Sequence, residues 1–262
     1  MAALGPAPVF SGAQPVAAVG EPLMSAMLRI AVESVEHTGP ESREFESRLA
    51  LDHSEILELG CGRADLTRQI ANGGVNRRVT ATEVDEIQHA LNLKLDLPNV
   101  SFKLAGAQAI PAADASIDMV FMFKSLHHVP VDLMPVALTE VARVLKPGGH
   151  AWISEPVFAG PFNDILQLFH NEQRVRAAAF AAISAAVDSG LLLSAEEIFF
   201  NQPMFFADLE AFERQVIGVT HTRHVLSPAT HAEVKARFNA HQQGQGVHFR
   251  QPLRVNLLRK PV

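Results

Sequence analysis

The strongest constraint on this chain is the run Ile56-Leu57-Glu58-Leu59-Gly60-Cys61-Gly62-Arg63-Ala64-Asp65-Leu66-Thr67. A short apolar strand ends in an acidic residue and passes into a Gly-x-Gly-x-Ala turn. Beyond the turn the apolar spacing becomes helical, with Leu66, Ile70 and Ala71 on one side. Glycines in such a turn accept positive φ and let the backbone approach a ligand closely, because they carry no Cβ. About twenty residues on, a second apolar strand ends at Glu83, where a carboxylate can take both hydroxyls of a ribose. The pair points to an adenosine-containing cofactor at the carboxyl edge of a parallel sheet.

The dinucleotide fingerprint needs Gly-x-Gly-x-x-Gly so that a pyrophosphate can sit on the helix N-terminus. Here the third small residue is Ala64, two after Gly62, and the strand carries Glu58. A carboxylate there repels a pyrophosphate and suits a cation. S-adenosylmethionine has an ammonium and a sulfonium and no phosphate. A lone glycine turn would be compatible with an ordinary tight turn, so the downstream segments carry the weight.

Those segments are Gly106-Ala107-Gln108-Ala109-Ile110-Pro111, then Asp114-Ala115-Ser116-Ile117-Asp118-Met119-Val120-Phe121, then Ser125-Leu126-His127-His128-Val129, and Glu140-Val141-Ala142-Arg143-Val144-Leu145-Lys146-Pro147-Gly148-Gly149. In this order they resemble the class I S-adenosylmethionine-dependent methyltransferases, in particular the small-molecule branch that includes ubiquinone and sterol methyltransferases. The resemblance runs from about Ile56 to Glu155. It is specific for fold and cofactor and says little of the acceptor. It implies an α/β fold: a Rossmann-like, doubly wound, seven-stranded and mostly parallel sheet, with a helical cap. It also implies that Glu58, Gly60, Cys61 and Gly62 lie at the methionine end of S-adenosylmethionine, Glu83 on the ribose, and Ala107 and Gln108 by the adenine. Relatives often carry aspartate where Gly106 stands, so the adenine-amine contact is missing here or comes from Gln108.

Strands are expected at Glu55–Leu59, Arg78–Glu83, Val100–Leu104, Ile117–Phe123 and Gly149–Glu155, with helices near Asp65–Ala71, Glu86–Leu95 and Leu133–Leu145. This alternation signals βαβ units. Residues 1–20 read as a flexible lead without the basic and apolar regions of a secretory signal. Residues 21–262 read as one methyltransferase domain. Its N-terminal helices fall in 21–49, one over Pro22–Val35 and one from Glu41 to Leu49. The core is 50–158 and 207–262, and a helical cap is inserted at 159–206. Within that cap Phe162–Gly190 has helical spacing, and Ser194 with Glu197 reads as a capping box opening a helix to Phe200. Beyond it come a short helix at Asp208–Gln215, a strand at Val216–Val225, a helix at Ser227–Gln242 and a closing strand at Phe249–Leu258. The cap is the expected substrate lid, with an acceptor pocket floored by Lys124, His127 and Glu155.

Candidate catalytic residues are Lys124, His127 and His128, which follow the fourth strand. An imidazole titrates near neutrality and can serve as a base, while a structural role for the His-His pair stays open. Lys124 either binds an anionic or carbonyl-bearing acceptor or pairs with Glu155. Asp85 is a rival ribose ligand or the N-cap of the next helix. Pro203-Met204-Phe205-Phe206 lines an apolar pocket or belongs to the core. The chain has 12 histidines, yet the late ones show no ligand spacing, so no metal is expected. A net charge of −6 without a basic run argues against a nucleic-acid partner. The single cysteine rules out an internal disulfide framework and fits a reducing, cytoplasmic compartment; Cys61 reads as a small buried filler. The absence of tyrosine removes one possible base. No apolar stretch is long enough to span a bilayer. The expected partner is a small-molecule acceptor, with the protein a monomer or homodimer. The rival readings are an NAD-linked Rossmann enzyme and a non-catalytic binding module.

Overall fold

The computed structural model describes residues 28–220 and 222–262. Seven strands form one sheet in the order β3-β2-β1-β4-β5-β7-β6. They are β1 (Glu55–Leu59), β2 (Arg78–Glu83), β3 (Val100–Leu104), β4 (Ile117–Phe123), β5 (Leu145–Pro156), β6 (Leu193–Phe206) and β7 (Val247–Arg259). The pairs among β1 to β5 are parallel, and β7 runs antiparallel to both β5 and β6. The strand order reverses beside β1, so the β1 and β4 ends form the switch point where an open α/β sheet binds ligands.

The first four strands match the sequence expectation residue for residue. β1 and β4 are buried on both faces, as central parallel strands covered on two sides must be, whereas β3 at the sheet edge is half exposed. On one side Ile56, Phe121 and Trp152 pack with Phe45 and Ile70. On the other, Leu57, Val120 and Ile153 pack with Leu138 and Val141. Helix α1 (Glu41–Glu46) and helix α2 (Asp65–Asn72) cover the first face, and α4 (Met134–Val144) covers the second; α3 (Glu86–Asn92) links β2 to β3. The fifth strand begins at Leu145, earlier than expected, and takes in the Lys146–Gly149 turn with a register shift opposite Ile117 and Met119.

The later chain corrects several expectations. The helical stretch Phe162–Gly190 is two helices, α5 (Pro161–Leu166) and α6 (Gln173–Asp188). In α6, Ala179, Ile183 and Ala186 are buried against the α4 face, so this helix is part of the core. The segment Ser194–Phe200 is not a helix. It lies within β6, held by a long antiparallel register with β7 from Leu193↔Arg259 to Phe206↔Val247. Pairing along the whole strand outweighs a local capping signal. Among the described residues, 216–225 form no strand: Leu209–Phe212 is α7, Glu213–Ile217 continues as a π turn, and a loop leads to α8 (Pro228–Ala240). Of the helix expected at Pro22–Val35, residues 28–35 are not helical and 22–27 lie outside the described residues, as does the lead at 1–20.

A separate apolar cluster joins Phe162, Ile165, Phe206, Phe212, Phe238 and Phe249. It fastens α5, α7 and α8 to the ends of β6 and β7. Because β6 runs parallel to β5, its end at Phe206 lies on the carboxyl edge of the sheet. The segment 207–246 therefore leaves the sheet at that edge. No helix among the described residues is long and apolar enough to cross a membrane.

Candidate functional site

The glycine turn after β1 has a left-handed backbone at Gly60, Gly62 and Ala64, with φ of 75°, 51° and 59°. Gly60 and Cys61 donate their N–H groups to Thr82 O at 3.0 and 2.9 Å. Gly62 N donates to Glu83 Oε2 at 2.7 Å, and Asn92 Nδ2 donates to Gly62 O at 2.7 Å. The turn is thus clamped to the ends of β2 and α3. A Cβ at Gly60 would meet Ser125 Cβ at 2.8 Å, whereas one at Gly62 would meet nothing within 4 Å. Gly60 is required by its protein neighbour; Gly62 borders open space.

That space is a cavity of about 800 Å³ at the carboxyl edge. All seven expected cofactor residues, Glu58, Gly60, Cys61, Gly62, Glu83, Ala107 and Gln108, line it. Lys124 and His128 line it too, together with Thr222 from the 207–246 insertion. His127 does not.

Glu58 is 2% exposed and accepts from Thr67 Oγ1 at 2.6 Å. Burial pushes its carboxyl up to about 8; the Thr67 hydrogen bond and the Lys124 charge work the other way. Glu83 is fixed by three backbone donors, Gly62 on Oε2 and Val84 and Asp85 on Oε1. Each carboxylate oxygen has two acceptor sites, so Oε2 can still accept from a ligand. Asp85 caps α3, accepting from Ile87 N and Gln88 N. Cys61 is buried, accepts from Asn92 Nδ2 at 3.4 Å, and has its thiol pushed up by burial, as suits a filler.

Lys124 takes a left-handed backbone at φ 53°. Its Nζ pairs with Glu41 Oε2 at 2.9 Å, not with Glu155. Glu41 also accepts from Trp152 Nε1 at 3.0 Å, so Lys124 ties α1 to the sheet. Glu155 instead accepts from His127 Nδ1 at 2.5 Å, and His127 Nε2 lies 3.4 Å from Glu172 Oε1. Burial opposes a charge on His127, but the two carboxylates outweigh it and raise the imidazole to about 9. With both ring nitrogens engaged, His127 is a buried cation rather than a free base. Its ring lies 4.1 Å from that of His128, which is exposed to the cavity. Sequence reasoning missed Glu41, Glu172 and Arg176. They come from distant segments, and no local spacing marks them.

The profile of the methyltransferase domain family matches residues 56–149, the segment that carries this turn and the ends of β2 and β4. An O-methyltransferase of Aspergillus sclerotiorum, resE, is 34% identical over 119 residues, 44% of this chain and 44% of its own length. The chain therefore spans about half the length of the curated relatives it matches. A Bacillus halodurans protein assigned as a methyltransferase superimposes with a TM-score of 0.56 at 16% identity, over 85% of this chain and 98% of its own. A Haemonchus contortus N-methyltransferase, solved with phosphomonomethylethanolamine and S-adenosylhomocysteine, gives 0.50 at 15% identity over 85% and 52%. The matched profile makes residues 56–149 similar to a methyltransferase domain, and the strand order of the sheet is the class I methyltransferase topology.

Proposed function

We propose that the protein transfers the methyl group of S-adenosylmethionine to a nucleophilic O, N, S or C atom of a small molecule. The observation that carries this reading is the pair of buried carboxylates, Glu58 and Glu83, flanking a glycine turn whose Gly62 borders open space. The donor set fits the cofactor: Glu58 faces a cation, Glu83 Oε2 accepts ribose hydroxyls, and Ala107 and Gln108 flank the adenine. When bound, the cofactor supplies a methyl already activated by its sulfonium. The chain's own part is to align the acceptor behind that methyl and to exclude water, which supplies roughly 7–11 kcal/mol of a barrier. Lys124 and His128 meet the acceptor on the far side of the cavity. His127 is a positioning residue that holds His128 through ring contact. Likeness to an O-methyltransferase favours oxygen as the acceptor atom. Against an NAD enzyme stand Glu58 and the short glycine spacing. The lone, buried cysteine supports a reducing compartment such as the cytoplasm.

Calorimetry with S-adenosylmethionine, S-adenosylhomocysteine and NAD in parallel tests this. Binding of the first two and not the third is expected, followed by labelled-methyl transfer to members of an acceptor panel. Binding of NAD alone would overturn the assignment; cofactor binding with no transfer to any acceptor would favour the non-catalytic module.

A further inference from the structure

Beside the cavity, two segments bring three imidazoles around one carboxylate. His127 and His128 come from the 3-10 turn after β4, and His170 and Glu172 from the link between α5 and α6. Glu172 Oε1 lies 3.4 Å from His127 Nε2 and 3.0 Å from His170 Nε2. One donor atom each from His127, His128 and Glu172 lies within 4.8 Å of the others.

Two details make this more than a chance cluster. Glu155, fully buried, accepts from His127 Nδ1 and so aims Nε2 at Glu172. A carboxylate on the far nitrogen of a ligating histidine is the outer-shell arrangement that fixes tautomer and ring orientation at metal centres. Arg176 donates to Glu172 Oε2 at 2.5 Å, which leaves Oε1 as the single oxygen presented to the imidazoles. Ligand bonds to zinc of about 2.0–2.1 Å in a tetrahedron put donors a little over 3 Å apart, close to the His127–Glu172 separation. His128 needs only a side-chain adjustment, and it is the exposed member.

We propose that His127, His128 and Glu172 form a binding site for a divalent transition-metal ion of the zinc class, with an open position facing the cavity. Three nitrogen and oxygen ligands with a free fourth position is the pattern of catalytic rather than structural zinc. The consequence rests on the methyl-transfer reading. The acceptor's hydroxyl oxygen takes the open position, and its proton leaves to solvent. The oxygen's electron pair then forms the bond to the methyl carbon, while the S–CH₃ bond breaks and its pair returns to sulfur as a neutral thioether.

The test uses the full chain after chelator treatment, titrated with Zn²⁺ by calorimetry and with Co²⁺ by visible absorption. About one ion per chain and a tetrahedral Co²⁺ spectrum are expected. Glu172→Gln and His128→Ala should each weaken binding by more than the ~10–100-fold that outer-shell changes cost, and His170→Ala should not. His128→Ala alters an exposed side chain, so it stays informative where Glu172→Gln fails to fold. Absence of binding below millimolar ion, or undiminished binding in His128→Ala, overturns the site and leaves an ion-pair network. An S-adenosylmethionine titration of the metal-free protein runs alongside. A silent cofactor titration with a positive metal titration would defeat the methyl-transfer reading alone, and the converse would defeat the metal site alone.

Discussion

Replacing Glu58 with glutamine separates the stability of the empty protein from its affinity for the cofactor. Glu58 is 2% exposed, and burial holds its carboxyl at about 8, against 4.5 for the free group. The folded state therefore binds a proton more tightly than the unfolded chain. By linkage, this group's contribution to stability is full below pH 4.5, falls as the pH rises, and is lost by about pH 8. The displacement corresponds to a ceiling of ~5 kcal/mol. Glutamine has the same shape, keeps an oxygen for Thr67 Oγ1, and never ionises. Even a third of the ceiling, on the order of 1.5 kcal/mol, raises the Tm by about 3–6 °C for a chain of this size. Thermal melts of Glu58→Gln and wild type should then coincide near pH 5 and diverge by pH 9, with the variant more stable. Cofactor affinity should move the other way, since a charge-assisted hydrogen bond worth about 1.5–3 kcal/mol is lost, roughly 10–150-fold. Near pH 6.5, the wild type should release up to about one proton on binding S-adenosylmethionine, seen as a buffer-dependent calorimetric heat, and the variant none. A wild-type Tm advantage that stays constant from pH 5 to 9, with no proton release, would refute both the burial argument and the cation assigned to this end of the cavity.

Four further outcomes follow from the geometry. Glu83→Ala should weaken cofactor binding and also lower the Tm, because it strips the acceptor from Gly62, Val84 and Asp85 N–H groups, at about 1–3 kcal/mol for a buried donor left unpaired; Glu83→Gln should recover much of the stability. Gly60→Val should destabilise the protein itself, since its Cβ meets Ser125 at 2.8 Å, whereas Gly62→Ala should cost about 1–2 kcal/mol for its left-handed backbone and act chiefly on cofactor affinity; equal Tm losses in the two would contradict this split. Glu155→Ala should cost about 3–5 kcal/mol by denaturant unfolding, because it leaves the buried His127 cation without one of its two carboxylates. Hydrogen exchange should find α6 protected with or without ligand and ligand-induced protection concentrated in 207–246; the reverse pattern would return the lid to α6.

The sequence by itself determined the first half of the sheet and its glycine turn. From Glu55 to Phe123 each strand is a short segment bounded by turn residues, and the glycine turn is a contiguous string with Glu83 at the next strand end. Short-range patterns of this kind survive folding because each residue's environment is set by neighbours a few positions away. The expectation at Ser194–Phe200 failed for the opposite reason. Ser194 and Glu197 imitate a helix start, but the segment's partner is β7, some sixty residues on, and only the assembled sheet supplies those hydrogen bonds. The same holds at the site. Lys124 was legible as an unusual residue at a strand end, yet its choice of Glu41 over Glu155 depends on where α1 crosses the sheet. His127 was legible as a candidate base, yet its burial between Glu155 and Glu172 brings together β5, the turn after β4 and the N-terminal end of α6. A pattern along the chain can name the chemistry a strand end carries. Which charge faces which is a matter of desolvation and distance between remote segments, and those exist only once the tertiary structure has closed around them.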